Sequence, residues 1–160
     1  GHQIILPDGP RCGCGNRGCL ETLASGPAIV AEGVRLLRTG MAPRLHALVE
    51  GNADRVTTKT MAEAALAGEQ TVAEAIRRAA EYLGIAAVNT VVTLHPDLIV
   101  LGGAVAQMGE LLREPVERTV RQRVGMFPTD GVAVKLSALG DQAGALGGIA
   151  LAAQGGMMHT

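Results

Sequence analysis

The chain has no tryptophan, one tyrosine and one phenylalanine in 160 residues. Its core cannot rest on stacked rings and must be built from Ala, Val, Leu and Ile, which favours close packing of helices on a sheet. The same scarcity argues against a surface for single-stranded nucleic acid, where bases are held on aromatic faces. Charge of one sign is also missing: 14 Lys and Arg stand against 15 Asp and Glu, a net charge of −1. No global field therefore draws nucleic acid or an anionic membrane. No apolar run approaches the roughly 20 residues needed to span a bilayer. Cysteine is scarce and odd in number, 3 in all, which fits poorly with a disulfide framework. With no secretory segment in view, thiols left over in this way point to the cytoplasm.

What the sequence does hold is concentrated at its start. Cys12, Cys14 and Cys19 fall inside eight positions, and His2 precedes the first of them by ten. Gly13, Gly15, Asn16, Arg17 and Gly18 lie among them, and Pro7-Asp8-Gly9-Pro10 forms a turn upstream. Glycine lets the backbone fold back sharply, so that several sulfurs can converge on one point. Three thiolates and one imidazole complete a tetrahedral ligand set for zinc and leave no position for water. A closed set of this kind points to a structural ion rather than a catalytic one. Cysteine can also act as a small buried hydrophobe, but a loop of Gly, Asn and Arg is a poor place to bury it. His2 is the weakest ligand of the four, because a Gly-His start can also be left by a cleaved purification tag.

The rest of the chain reads as a succession of helices with short strands. Residues 3–6 are a short apolar run ended by Pro7, a predicted strand. Ser25-Gly26-Pro27 predicts a helix start, with the helix running over 27–38 and stopping near Gly40. Residues 43–50 predict a short helix and 51–56 a connecting loop. Thr60 with Glu63, and Thr71 with Glu74, fit the capping box and bracket Gly68 as a helix stop. Val72, Ile76, Ala79, Leu83, Ala87 and Val91 form one apolar stripe on a long central helix. Residues 98–101 are a continuous aliphatic run, expected for a strand covered on both faces. Gly102-Gly103 follows, then a predicted helix over 104–124 in which Pro115 bends the helix or opens a new one. Residues 131–136 predict a second strand. Residues 140–144 turn into a Gly/Ala-rich helix over 145–153, whose small residues suit tight packing against a neighbouring helix or lobe.

Two features beyond the cysteines could carry chemistry. A glycine pair between a buried strand and a helix lets backbone approach a phosphate or nucleoside, and serves equally as a packing device. Glu21, two residues past a cysteine, could accept hydrogen bonds from sugar hydroxyls, or could merely favour the positive end of a helix dipole. His46 and His95 read as surface or loop residues. Glu110, Arg113, Glu117, Arg118 and Arg121 read as a solvated helix face.

Gly1-His2, the interval to Cys12, and then Cys-x-Cys-Gly-x-x-Gly-Cys-Leu-Glu through Glu21 resemble the signature of the ROK family. That family holds bacterial sugar kinases, sugar-responsive repressors and uncharacterised relatives. The likeness is specific over residues 2–29. It is weaker to about residue 152, where the chain resembles the family's C-terminal half. The His2 spacing fits the family, which argues against a tag remnant. The resemblance implies the C-terminal lobe of an actin-like (ribonuclease H-like) ATPase fold. That lobe would hold a zinc loop over 1–24, an α/β core over 25–154 and a frayed tail over 155–160. It implies that the parent's N-terminal lobe, with its phosphate-binding loop and aspartate base, is missing from this sequence. No catalytic residue is therefore assigned, and the isolated chain is expected not to turn over.

By the same resemblance, His2, Cys12, Cys14 and Cys19 would hold structural zinc, and His2 and Glu21 would contact the sugar. Gly102, Gly103 and Gly144 would lie on the adenosine side of the cleft. ATP and Mg2+ would serve the intact parent, a hexose kinase with glucose as its default substrate. The family implies a homodimer, no membrane and no nucleic acid through this lobe. The alternative within the family is a sugar-sensing transcriptional repressor whose DNA-binding module lies upstream. A third reading needs no family: a zinc knuckle that binds nucleic acid. Near-neutral charge, the lack of aromatics and the absence of a basic stripe beyond Arg11 and Arg17 weigh against it.

Overall fold

The computed structural model describes residues 1–153. Two long helices form its spine: α5 (Gln70–Leu94) and α6 (Glu110–Arg123). On α5 the apolar stripe is buried at Val72, Ile76, Ala79, Ala87 and Val91, with Leu83 half-buried. On α6 the buried face is Leu112, Pro115, Val116, Thr119 and Val120. Each fully buried aliphatic side chain here stabilises the fold by about 1.5–3 kcal/mol. The two helices meet at Gly84, where an added Cβ would stand 2.5 Å from the Cβ of Thr119. Only glycine permits that approach.

Shorter helices pack around this spine: α1 (Glu21–Ala24), α2 (Gly26–Arg38), α3 (Pro43–Leu48) and α4 (Thr58–Leu66). The start of α2 is as expected, with the Ser25 hydroxyl accepting from the Ala28 amide at 3.3 Å and Pro27 in the first turn. The two predicted capping boxes are not formed. The box on α4 lies three residues upstream, where Thr57 and Thr60 exchange side chain-to-backbone bonds at 3.1 and 2.9 Å. α5 begins without a side-chain cap. The Thr71 hydroxyl donates instead to the Met41 carbonyl at 2.7 Å, and the buried Glu69 carboxylate accepts from the Arg44 amide at 2.7 Å, at the start of α3. Contacts remote in sequence have taken the groups that local capping would have used.

β1 (Leu98–Leu101) and β2 (Ala133–Leu136) form a parallel pair, with Leu98 opposite Ala133 and Leu101 opposite Leu136, and α6 lies between them in sequence. Ile99 and Leu101 belong to the core with Val134 and Leu136. The opposite face is not covered: Leu98 is 48% and Val100 55% exposed. The predicted helix over 104–124 is divided. A 3₁₀ turn, Ala104–Met108, ends at Gly109, whose φ of 64° and ψ of −133° are open only to glycine. Pro115 lies inside α6 without interrupting it. The predicted strand over 3–6 is reduced to one antiparallel bridge, Ile4 to Cys19. α7 (Ala143–Ala153) has no buried residue, so nothing within the described residues covers the small side chains expected to pack against a neighbouring helix or lobe. No helix among the described residues is long and apolar enough to cross a membrane. The predicted frayed tail over 155–160 lies outside the described residues.

Candidate metal centre and its ligand face

The opening loop is folded by its own backbone. The Gly18 carbonyl accepts from the amides of Ile5 and Leu6 at 2.9 and 3.1 Å, and the Gly18 amide donates to Pro10 at 2.8 Å. Gly18 has φ +64°, and a Cβ there would fall 1.5 Å from the Leu6 carbonyl oxygen. This is the tightest backbone approach in the loop, and it delivers Cys19 to the centre. A turn closed by the Gly15 amide on the Cys12 carbonyl, 3.0 Å, reverses the chain between Cys12 and Cys14. Arg17 braces the rim, its Nε donating to the Gly9 carbonyl at 3.1 Å. The Thr22 hydroxyl fixes the far side by donating to the Cys19 carbonyl at 2.8 Å.

These bends bring His2, Cys12, Cys14 and Cys19 together, with one ligand atom from each and all four atoms within 4.8 Å of one another. His2 Nδ1 lies 3.5 Å from Cys12 Sγ, and Cys14 Sγ lies 3.6 Å from Cys19 Sγ. With metal–sulfur bonds of about 2.3 Å and metal–nitrogen bonds of about 2.0–2.1 Å, a tetrahedral site of three sulfurs and one nitrogen has edges of roughly 3.5–3.8 Å. Both separations match such an edge. They are far longer than the roughly 2.05 Å of a disulfide, and all three cysteines are free. The donor set and these two separations suit a four-coordinate metal ion, and the remaining pairs lie within 4.8 Å.

The electrostatics of the centre ask for a cation. The backbone amide of Asn16, and next the side-chain hydrogen bond with Cys19, hold the Cys14 thiol below the usual thiol range. Burial pushes the fully buried Cys19 thiol up to about 11, with the neighbouring sulfurs adding to the rise. A divalent ion bound here would take the sulfurs as thiolates and displace the proton that Cys19 otherwise keeps.

Beside the centre lies an exposed polar face. The Glu21 amide donates to the Gly1 carbonyl at 2.8 Å and the Leu20 amide to the Gln3 carbonyl at 2.9 Å, so residues 1–3 and 20–21 run side by side. His2 and Glu21 are both exposed there. The Glu21 carboxylate lies against Gly1, where an added Cβ would meet Oε2 at 2.7 Å. Glu21 is also the first residue of the single-turn α1, so a favourable helix start and an outward-facing carboxylate coexist.

The glycine turns pack near the start of α2 and against one another. Gly103 has φ +79° and caps the 3₁₀ turn 104–108, and both Gly102 and Gly103 are exposed. Gly26, at the start of α2, comes within Cβ distance (3.8 Å) of Val105 in that turn. The same turn packs against the 3₁₀ turn Gly140–Gln142, which leads to Gly144 in the first turn of α7. An added Cβ at Gly103 or Gly144 would meet open space. His46 and His95 are both exposed, as expected, His46 beside Gly51 and His95 tilted against the ring of Phe127 at 4.3 Å. Sequence reasoning singled out the four residues that come together here but not the hub role of Gly18 or the bracing by Arg17 and Thr22, for which spacing carries no signal.

Comparison with known proteins agrees with this architecture. The glucokinase of Halalkalibacterium halodurans is 31% identical over 152 residues, covering 92% of this chain and 45% of its own length. The xylose repressor of Caldicellulosiruptor bescii is 31% identical over 151 residues, 94% of this chain and 37% of its own. A crystal structure of a ROK family glucokinase from Streptomyces griseus in complex with glucose and AMPPNP superposes with a TM-score of 0.85 at 31% identity, over 96% of this chain and 50% of that one. The chain thus spans about half or less of the length of these relatives. The sequence profile of the ROK family matches residues 1–155. With its His/Cys cluster and its α/β fold related to the actin and sugar-kinase superfamily, the chain belongs to the ROK family.

Proposed function

We propose that this chain is the C-terminal half of a ROK-type sugar kinase that, when intact, moves the γ-phosphate of ATP to a hexose hydroxyl, glucose being the first candidate. One observation carries the reading. The exposed Glu21 carboxylate and the exposed His2 ring stand on adjacent backbone segments, on a loop whose four ligands match a structural metal site. Glu21 accepts hydrogen bonds from sugar hydroxyls. His2 gives Nδ1 to the ion, leaving Nε2 for the sugar. Zinc, held by His2, Cys12, Cys14 and Cys19, shapes this face and takes no part in the chemistry. Gly102, Gly103 and Gly144 let backbone approach the adenosine of ATP. The aspartate base and the phosphate loop belong to the other half of the protein, together with Mg2+ bound to the nucleotide. In this reading residues 1–24 are the zinc loop and 25–154 the core of one lobe, and the intact protein is a cytoplasmic dimer. Support comes from the likeness to a glucokinase solved with glucose and AMPPNP.

A second reading rests on the equal identity to a xylose repressor: the same face binds a sugar that controls DNA binding, with no phosphoryl transfer. An ADP-release assay on the full-length protein, over a panel of hexoses with Mg-ATP, separates the two. The kinase reading expects turnover, and Glu21→Gln is expected to raise the hexose KM at least about tenfold through loss of a charge-assisted bond. Sugar binding without ADP release would favour the repressor. Unchanged hexose kinetics in Glu21→Gln would remove Glu21 from the sugar site.

A further inference from the structure

One of the three sulfurs in the opening loop faces solvent. Cys14 is exposed, whereas Cys12 is 9% and Cys19 0% exposed. Nothing overhangs the turn around Cys14. Gly13 and Gly15 flank it, and an added Cβ at either would meet no atom within 4 Å. A reagent in solution therefore reaches this sulfur before the other two. Cys14 also has a partner in place. Its Sγ lies 3.6 Å from that of Cys19, while the Cys12 Sγ lies beside His2 Nδ1 at 3.5 Å. An approach of roughly 1.5 Å would bring Cys14 and Cys19 to the length of a disulfide. Cys14 is the one free to make that approach, because it sits between two glycines. Cys19 is held by its bridge to Ile4 and by the Thr22 hydroxyl on its carbonyl. An accessible sulfur with a second one poised beside it is the arrangement of an oxidation sensor.

We propose that this centre is an oxidation-sensitive latch, in which a hydroperoxide converts Cys14 and Cys19 to a disulfide, expels the metal ion and unfastens residues 1–3 from residues 20–21. The latch rests on the reading of the loop as a metal centre, and on no sugar or nucleotide role. In the first step the Cys14 thiolate attacks the O–O bond of the peroxide. One oxygen stays on sulfur as a sulfenic acid, and the other leaves as hydroxide or alkoxide. In the second step the Cys19 thiolate attacks that sulfur, the S–S bond forms and hydroxide leaves. The two thiolates lose two electrons and the peroxide gains them, ending as water, or as water and an alcohol, after taking up two protons. Cys12 and His2 are then the only ligands left, too few to close a structural site. Without the ion, residues 1–3 keep only their backbone bonds to the amides of Leu20 and Glu21, on a stretch that is exposed throughout.

An equimolar amount of hydrogen peroxide added to the zinc-loaded full-length protein tests the latch. The readouts are zinc release to a colorimetric chelator, peptide mapping of the cysteines and hydrogen exchange. Zinc is expected to leave in step with formation of a Cys14–Cys19 disulfide, with Cys12 remaining a free thiol. The amides of Leu20 and Glu21 are expected to exchange at least about tenfold faster. A thiol reductant with added zinc is expected to reverse all three changes. Zinc retained under excess peroxide would overturn the proposal. So would a disulfide at Cys12, irreversible sulfinic acid at Cys14, or unchanged exchange after zinc loss. A protein that takes up no zinc would overturn the metal-centre reading as well, which separates that failure from the failure of the latch alone.

Discussion

The amide of Glu21 is bonded to the carbonyl of Gly1 at 2.8 Å, so the candidate sugar carboxylate is tied to the residue directly before His2. Disorder of the His2 segment is therefore passed directly to Glu21. The chain stretches that carry the two residues are otherwise joined by the Leu20–Gln3 bond, the Ile4–Cys19 bridge and the shared cluster. Stripping the ion from the full-length protein with a chelator is expected to weaken hexose binding at least about tenfold, because metal binding and loop order are coupled. Nucleotide binding, which we propose draws on the turn after β1, is expected to change much less. Calorimetric titration of each ligand before and after chelation checks both expectations.

Gly18 is the backbone hub of the loop. Gly18→Ala places a Cβ where the Leu6 carbonyl oxygen stands, at a φ of +64° that L-residues rarely adopt. The expected outcome is faster loss of metal to a colorimetric chelator, together with a destabilisation of about 2 kcal/mol or more. Gly13→Ala, in the same loop with no atom near the added Cβ, serves as the control and is expected to release metal at nearly the wild-type rate.

Metal affinity should fall as pH falls. In the absence of an ion, burial pushes the Cys19 thiol up to about 11, so it is protonated at neutral pH. The ion binds the thiolate and must displace that proton. Each proton released makes the apparent affinity drop about tenfold per pH unit. Competition titrations from about pH 8 down to about pH 7 are expected to show at least this slope. Affinity independent of pH over that range would mean that Cys19 does not enter the site as a thiolate.

The α5–α6 crossing makes a prediction with an unusual sign. Alanine in a helix interior ordinarily stabilises by about 1 kcal/mol relative to glycine. Gly84→Ala is nonetheless expected to destabilise by about 1–3 kcal/mol, because its methyl would collide with Thr119 and force the helices apart. Urea unfolding midpoints of the two proteins decide the sign.

The convergence of His2, Cys12, Cys14 and Cys19 was legible in the sequence because few residue types can bind such an ion and all four fall within a short span rich in glycine. The α5 stripe was legible for a similar reason: burial on one face imposes the helical period on Val72, Ile76, Ala79, Ala87 and Val91. Capping was not. Thr60 and Thr71 can each satisfy a local pattern, and which pattern forms depends on partners such as Met41 that are remote in sequence. The break at Gly109 was hidden because one glycine among good helix formers is compatible with an unbroken helix. The aliphatic run of β1 signals burial on two faces but not what covers them, and the outer face is open in this chain.

X-ray absorption at the zinc edge, with metal counted per chain, tests the central claim most directly. The account predicts one zinc per chain, bound by three sulfurs at about 2.3 Å and one nitrogen at about 2.0–2.1 Å, with no water ligand. A metal-free purified protein whose three cysteines all react freely with a thiol reagent would contradict it, as would zinc in a shell of oxygen atoms.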